Sequence, residues 1–281
     1  GRGLERRHLF LASRDLVFVP SDLRQEGQRS GAMLLHYGPR RPNRTSNHFG
    51  GHILVAPNSA GFGAPLAPLE HPARHFLFAM MDEKLNVQRR KLGPVLRLLN
   101  ASRPDVHYFP IGDHRTMSLS PAAAHRLMTS SLLCPIIQGD LPYQHRLFDA
   151  IATGCVPLLF AYTTHFDGRP CEAWSWDPAT ARRALWGFPQ NRVQACCIEH
   201  TLPYHRTVDW REITVRLDGA LLSRPAEEIA RAIASLDRAA LELKRRRLEE
   251  VRQRFVYDWS GKSADAFSST IEEVCAHLGV S

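Results

Sequence analysis

The segment from residue 131 to residue 159 constrains the fold of this chain more than any other, and it reads SLLCPIIQGDLPYQHRLFDAIATGCVPLL. Residues 132–137 and 156–160 are apolar runs of strand length. Residues 138–144 contain the Gly, Asp and Pro that interrupt regular structure, and residues 145–153 show a helical pattern. The segment therefore predicts a strand, a loop, a helix and a second strand, which together form a βαβ crossover.

The predicted helix of this crossover has an apolar face and a defined end. Leu147, Phe148 and Ile151 are spaced to lie on one side of a helix. Gly154 follows at the position where a helix C-terminus favours a residue in the left-handed conformation. We therefore expect the helix to pack on a sheet through these apolar residues and to end at Gly154.

Two charged residues, Arg146 and Asp149, stand in the first turn of this helix, on one face of it. A helix that follows a parallel strand offers free N–H groups and a partial positive charge to a phosphate group. The Arg146 guanidinium can add two charge-assisted hydrogen bonds to phosphate oxygens, and the Asp149 carboxylate can accept ribose hydroxyls. The alternative is structural: Arg146 pairs with Asp149 or Asp140 to hold the loop, and Asp149 stabilises the helix dipole.

Strands and helices alternate along the rest of the chain. Apolar runs predict strands at residues 8–12, 16–19, 33–36, 53–56, 74–81 and 106–110. The stretch 57–72 is rich in Pro, Gly and Ala, which indicates a linker or a domain crossing. We therefore divide the chain into residues 1–60, the end of an N-terminal domain, and residues 61–281, a second domain. The alternation predicts the α/β class, with a parallel sheet covered on both faces.

Further helices are predicted on both sides of the crossover. One covers residues 84–100, where Gly93-Pro94 must bend or split it. A second begins at Ser120-Pro121, a cap followed by a first-turn proline. Residues 225–257 carry apolar residues at helical spacing and predict two more helices, separated by a break at residues 235–237.

An insertion at residues 163–201 interrupts the pattern with three Trp and three Cys. It either shapes an acceptor site, where Trp stacks on sugar faces, or buries its Trp as structural side chains. Cys134 and Cys155 flank the crossover and are expected on adjacent buried strands. The other four cysteines lie where disulfides would restrict chain freedom: Cys171, Cys196, Cys197 and Cys275. No CxxC motif is present, which disfavours a zinc site.

The charge balance indicates the class of partner. Lys and Arg number 36 against 28 Asp and Glu, a formal net charge of +8, so anionic partners are favoured. No DNA- or RNA-binding module is recognisable. Glu residues balance the basic run at residues 244–247, which we expect to be a solvated surface. The 44% content of hydrophobic residues excludes a disordered chain, and no apolar stretch reaches the roughly 18 residues of a membrane span.

Short motifs follow one another along the whole chain. They are HLFLASRD ending at Asp15, HILVAP at residues 52–57, Ser131 with Leu133 and Cys134, Gly139, Arg146, Asp149, the run Gly154, Cys155, Val156 and Pro157, and PYHRTVDW at residues 203–210. In order and spacing, this series resembles the exostosin-like glycosyltransferases, glycosyltransferase family 47. The resemblance implies a GT-B-like fold with two Rossmann-like domains, of which the N-terminal one is apparently truncated here.

The resemblance also implies an activity. It is an inverting transfer of a hexose or pentose from a nucleotide diphosphate sugar, expected to be a UDP-sugar, to a glycan or glycoprotein acceptor. Asp15 is the candidate base that removes the acceptor proton. Arg146 is the candidate catalytic cation that stabilises the leaving diphosphate. No Asp-x-Asp motif is present, so we expect no obligatory divalent cation and no metal site.

The donor site is expected to contain Arg89, Arg90, Gly139, Asp140, Tyr143, His145, Arg146 and Asp149. Arg89 and Arg90 stand near the start of the first helix of the second domain, a second contact point for phosphate. Backbone N–H groups of the loop at Gly139 can meet the donor, and Tyr143 can stack on its base. The alternative is surface placement for Arg89, Arg90, Gly139 and Asp140, and loop packing for Tyr143 and His145.

The resemblance implies a cellular location as well. Family members are anchored in the Golgi by one N-terminal membrane helix, so the chain is expected to be the luminal domain of a single-pass membrane protein. Its membrane contact would come only through an anchor outside this chain, and homo- or hetero-oligomers are compatible with this arrangement. The sequons Asn43-Arg44-Thr45 and Asn100-Ala101-Ser102 are compatible with a glycoprotein of the secretory lumen.

Two other classes of function stay open. Met80 stands where the family usually has Gly, and Arg14 stands where it commonly has His. Both departures fit a catalytically inactive partner subunit that stabilises an active enzyme. The net charge also fits a basic polyanion-binding protein with no nucleotide site, whose binding would depend steeply on salt.

Overall fold

The computed structural model describes residues 9–12, 33–36, 53–55, 66, 68–69, 72–83, 87–111, 119–137, 145–161, 202–204, 207–258 and 264–278. The predicted strand at residues 16–19 and the insertion at residues 163–201 lie outside these residues. Near the N-terminus the chain forms a parallel three-stranded sheet in the order β1-β2-β3. Its strands are β1 Leu9–Ala12, β2 Met33–His36 and β3 Ile53–Val55.

A second, five-stranded sheet is also entirely parallel. Its strands are β4 His75–Met81, β5 Val106–Pro110, β6 Ser131–Ile136, β7 Val156–Ala161 and β8 Val215–Asp218. They lie side by side in the order β5-β4-β6-β7-β8. The α/β class with a parallel sheet, predicted from the alternation of strands and helices, is confirmed.

Helices connect and cover the five strands. They are α1 Val87–Ser102, α2 Pro121–Thr129, α3 His145–Thr153, α4 Trp210–Ile213, α5 Ala226–Ala234, α6 Arg238–Val251 and α7 Ala266–Leu278, with 3-10 helices at Gly219–Ser223 and Arg252–Phe255. Among the helices described, none has the length and apolar character needed to cross a membrane. The predicted βαβ crossover is confirmed as β6, α3 and β7, and Gly154 ends α3 with a φ of 70°.

Two hydrophobic cores cover the two faces of the five-stranded sheet. Successive side chains of a strand point to opposite faces, so Leu77 and Ala79 of β4 belong to one core and Phe78 to the other. The first core contains the buried side of α1, and the second contains Leu147 and Phe148 of α3. The helices that follow β4 and β6 therefore lie on opposite faces of the sheet.

The sequence predicts that Gly93-Pro94 bends or splits the helix; α1 continues through this pair, so the helix is not split. Proline removes one helical hydrogen bond, but Leu92, Val95 and Leu96 on either side are fully buried against the sheet. This tertiary packing holds the helix together. Gly93 contacts the carboxyl group of Glu83, and a side chain at this position would collide with that group.

Three arginines, spaced seven residues apart, hold α6 and the adjacent 3-10 helix to the sheet. Arg238, Arg245 and Arg252 share one face because seven residues make about two helical turns. They donate hydrogen bonds to the carbonyl oxygens of Ala73 at 2.6 Å, Thr129 at 2.7 Å and Ala152 at 2.6 Å, respectively. These carbonyls precede β4, β6 and β7, so the three arginines tie together the amino-terminal ends of three strands.

The burial of Arg245 corrects an expectation for the basic run at residues 244–247. Arg246 and Arg247 are exposed, as expected of a solvated surface, but Arg245 is 0% exposed. A guanidinium tolerates burial when backbone carbonyls accept its hydrogen bonds, and the C-terminus of α2 presents such a carbonyl at Thr129. The prediction of a solvated face is therefore wrong for this residue.

A disulfide joins Cys134 of β6 to Cys155, which lies just before β7. Both cysteines are buried on adjacent strands or strand ends, as the sequence predicts. Cys275, on α7, is free in the part of the chain that the structure describes. Cys171, Cys196 and Cys197 lie outside the described residues.

Two histidines meet at the amino-terminal side of the sheet. His107 Nε2 lies 3.0 Å from His75 Nδ1, so one ring donates a hydrogen bond to the other. Burial is the main cause that lowers the pKa of His75, and the positive charge of the neighbouring His107 lowers it further. The cations Arg74 and Arg238 act in the same direction, whereas Asp105 opposes them.

We predict that the domain loses stability as the pH falls through the range just below 6.5. His75 binds a proton less readily when folded than when unfolded, so its contribution is fully present above the unfolded pKa and is lost as the pH falls through the folded one. Urea unfolding at about pH 7.5 and about pH 5.5 measures the effect. His75→Gln should reduce the pH dependence, whereas the matched variant His125→Gln on α2 should keep it. An equal slope in both variants would contradict the assignment to His75.

Candidate functional site

The strand order places a crevice at the carboxyl ends of β4 and β6. From β4 the chain first moves outward to β5, then returns to the other side of β4 and continues through β6 and β7. The chain therefore runs to one side of β4 on its way to β5, and to the other side of β4 when it continues through β6 and β7. Open α/β sheets bind their ligands at this kind of reversal, outside the carboxyl ends of the strands.

A small cavity lies at this position; its enclosed volume is about 20 Å³, and it widens into open solvent. Its lining comes from the ends of β4 and β6, from α2, and from the first turns of α1 and α3. The lining residues are Phe78, Ala79, Met80, Met81, Arg89, Met128, Cys134, Pro135, Ile136, Ile137 and Arg146. Apolar side chains thus form the walls, and two arginines supply the charge.

Arg89 and Arg146 reach the cavity from opposite faces of the sheet. Arg89 is the third residue of α1, which follows β4, and Arg146 is the second residue of α3, which follows β6. Because β4 and β6 are adjacent and α1 and α3 lie on opposite faces, the first turns of both helices point toward the same crevice. Arg89 is only 7% exposed, so its guanidinium is held largely within the protein.

The electrostatics of this pair favour an anion. Burial lowers the pKa of Arg146 most, and the positive charge of Arg89 lowers it further, whereas Asp149 raises it. An arginine keeps its proton despite such a shift, so the lowered pKa reports first the cost of burying this charge and then its repulsion by Arg89. The amino-terminal ends of α1 and α3 add partial positive charge. A bound anion would offset this cost and could contact both guanidinium groups.

The apolar walls of the cavity are not among the site residues that the sequence predicts. Met81 is the last residue of β4, and Ile136 and Ile137 stand at the end of β6. Their positions at the carboxyl ends of two parallel strands are the signal that could have identified them. Such a surface suits a flat apolar group beside the anion. Met80, the residue that stands in place of the family's usual Gly, also lines the cavity.

The predicted site residues have different places in the structure. Asp149 is half-buried on α3 and close enough to Arg146 to influence its pKa, although it does not line the cavity. Arg90 is exposed on α1 and does not line the cavity either. Asp15, Gly139, Asp140 and Tyr143 lie outside the described residues, as does the side chain of His145. No three His, Cys, Asp or Glu side chains of the described ranges form a group that could hold a metal ion.

Comparison with known proteins finds similarity only among solved structures. No protein-family model and no curated protein matches the chain. The glycotransferase of kitacinnamycin is 10% identical, with a TM-score of 0.38, over 89% of this chain and 55% of that one. CalG4, the calicheamicin glycosyltransferase, is 15% identical, with a TM-score of 0.39, over 88% and 52%. TarM is 7% identical, with a TM-score of 0.44, over 95% and 49%.

This chain therefore spans about half the length of the structures that it matches. The TM-scores are low, so the α/β class rests on the order and direction of the chain's own strands. Together, the parallel sheet and the two arginines define an α/β unit with a basic crevice at its point of strand reversal.

Proposed function

We propose that this chain is the donor-binding part of a glycosyltransferase that uses a nucleotide diphosphate sugar. One observation carries the proposal: Arg89 and Arg146 converge on an apolar-walled cavity at the strand reversal of a parallel sheet. The resemblance of the sequence motifs to the exostosin-like family supports the same function. Within this proposal a UDP-sugar is the donor, a glycan or glycoprotein is the acceptor, and the transfer inverts the anomeric centre.

The two arginines would act on the leaving group. When the bond between the anomeric carbon and the diphosphate breaks, negative charge grows on the phosphate oxygen that leaves. Guanidinium groups that are already in place stabilise this charge without reorganisation, and each can donate two hydrogen bonds. Two such cations can neutralise a diphosphate, so the proposal includes no obligatory divalent cation.

The remaining parts of the proposal concern the acceptor and the location. Asp15 is proposed to accept the proton of the acceptor hydroxyl as this hydroxyl attacks the anomeric carbon. We propose that the reaction takes place in the Golgi lumen or elsewhere in the secretory pathway. The buried disulfide between Cys134 and Cys155 supports this location, because disulfides persist in oxidising compartments.

Thermal unfolding with and without nucleotides tests the proposal. A ligand at about 100 times its dissociation constant adds about 2.7 kcal/mol of stability. We expect a rise in Tm with UDP or a UDP-sugar that is reduced by half or more in Arg146→Ala and kept in Arg90→Ala, which changes an exposed arginine. GDP and its sugar conjugates serve as alternative donors. The absence of any shift with all of these nucleotides would overturn the donor site.

A catalytically inactive partner subunit is the second candidate, and Met80 favours it. Its side chain lines the cavity where the resembling family usually has only a glycine. A donor that binds without being turned over, in the presence of a range of glycan acceptors, would support this candidate. Met80→Gly should then open the cavity and change donor affinity. Binding of acidic polysaccharides with steep salt dependence and no response to nucleotides would instead indicate a polyanion-binding protein.

A further inference from the structure

One of the two sequons lies on an exposed part of the folded domain. Asn100, Ala101 and Ser102 are the last three residues of α1, and all three are exposed. The polypeptide leaves the helix directly after Ser102. An acceptor sequon for N-linked glycosylation must present its asparagine amide to solvent, and this position fulfils that condition.

The side-chain amide of Asn100 uses only its oxygen for a hydrogen bond within the described residues. Its Oδ1 accepts a hydrogen bond from the backbone N–H of Tyr108 at 3.1 Å. Within the described residues, Nδ2 of Asn100 donates no hydrogen bond, so the nitrogen that a glycan would modify has no role in this part of the fold. Attachment of a sugar to Nδ2 leaves Oδ1 and its hydrogen bond to Tyr108 intact.

Asn100 also lies beside an open edge of the sheet. β5 is an edge strand, because its described neighbour is β4 on one side alone. The N–H of Tyr108 points away from β4 toward Asn100, as its hydrogen bond shows. Unpaired strand edges attract other chains, and a bulky hydrophilic group next to β5 would oppose such pairing.

A glycan at Asn100 would not block the cavity that Arg89 lines. Arg89 is near the beginning of α1 and Asn100 is near its end, eleven residues further along the helix. This separation corresponds to roughly 16 Å along the helix axis. A glycan at Asn100 would therefore extend from the amino-terminal side of the sheet and leave the crevice at the carboxyl ends open.

We propose that Asn100 carries an N-linked glycan that covers the open edge of β5. In the modification, Nδ2 of Asn100 forms a bond to the anomeric carbon of a lipid-linked oligosaccharide diphosphate. The bond from that carbon to the lipid diphosphate breaks, the diphosphate leaves, and Nδ2 loses one proton. The buried Cys134–Cys155 disulfide points independently to an oxidising compartment, where such donors act on secretory proteins. The proposal holds whether or not the chain transfers sugar.

Site mapping tests the proposal in the full chain, expressed through the secretory pathway of cultured eukaryotic cells. Enzymatic removal of N-glycans in heavy-oxygen water, followed by peptide mass spectrometry, marks each asparagine that carried a glycan. We expect the label at Asn100. Ser102→Ala should abolish it and retain the hydrogen bond from Tyr108 to Asn100, whereas Ser102→Thr preserves the sequon and should keep it. Asn43, in the other sequon, lies on a different peptide, so its glycosylation is measured separately.

Recovery of the Asn100 peptide without a glycan, from protein whose Cys134–Cys155 disulfide is formed, would overturn the proposal. The same result for cell-associated and for secreted protein would exclude an effect of retention. A second measurement tests whether the glycan covers the edge of β5. After enzymatic deglycosylation, we expect more self-association in analytical ultracentrifugation, and unchanged association would refute the covering role.

Discussion

Arg146→Ala is expected to weaken binding of the nucleotide diphosphate by about 10- to 100-fold, because a hydrogen bond to a charged group contributes about 1.5–3 kcal/mol. Arg146 lies in the first turn of α3 and shares the cavity with Arg89, so its loss removes one of two guanidinium groups from the proposed anion site. Isothermal titration with the nucleotide identified by thermal unfolding measures the change. Arg146→Lys should recover only part of the affinity, since an ammonium cannot form the planar two-bond contact.

Arg89 and Arg90 provide a matched pair of controls for this prediction. They are neighbours on α1, but Arg89 is buried and lines the cavity, whereas Arg90 is exposed. Arg89→Ala should therefore weaken the nucleotide as Arg146→Ala does, and Arg90→Ala should leave its affinity almost unchanged. If the three variants lose affinity equally, the effect comes from overall positive charge and the specific site is refuted. Circular dichroism spectra should confirm that all three remain folded.

Arg245→Ala is expected to lower the free energy of unfolding by about 3 kcal/mol or more. The substitution removes a large, fully buried side chain and leaves a cavity, and it takes away the donor to the Thr129 carbonyl. That carbonyl ends α2 just before β6, so the loss should also loosen the amino-terminal end of β6. Urea unfolding monitored by circular dichroism gives the free energy for each variant.

Two other variants at this helix separate charge from packing. Arg245→Met fills much of the same volume without a charge, so it should lose less stability than Arg245→Ala. Arg246→Ala changes the exposed neighbour and should alter stability by no more than about 0.5 kcal/mol. Equal losses for Arg245→Ala and Arg246→Ala would show that the buried contact contributes nothing specific.

The elements of the crossover could be predicted closely from the sequence. The helix at residues 145–153 has the predicted bounds, and Gly154 adopts the predicted left-handed conformation. These features depend on local properties: the spacing of apolar side chains and the freedom of glycine at a helix end. Helix α1 was less predictable, because buried packing on the sheet outweighs the local tendency of Gly93-Pro94 to break a helix.

The candidate site could be predicted only in part. Arg146 was identified because a helix start after a parallel strand is a local signal for phosphate. The sequence also singled out Arg89 and Arg90 together and offered no means to separate them. The structure distinguishes them because only one side of α1 packs toward the crevice, and the side is set by how the whole helix lies on β4.

By itself, the sequence determined the class of the fold, the crossover and the charged start of its helix, because these depend on residues close together in the chain. Only the tertiary structure decided that Arg89 and Arg146, more than fifty positions apart, share one cavity. It also decided that Arg245 is buried while Arg246 is not. Such outcomes depend on the order of the strands and on which distant carbonyl or cation comes into contact. These contacts join residues far apart in the sequence, so no local pattern of residues encodes them.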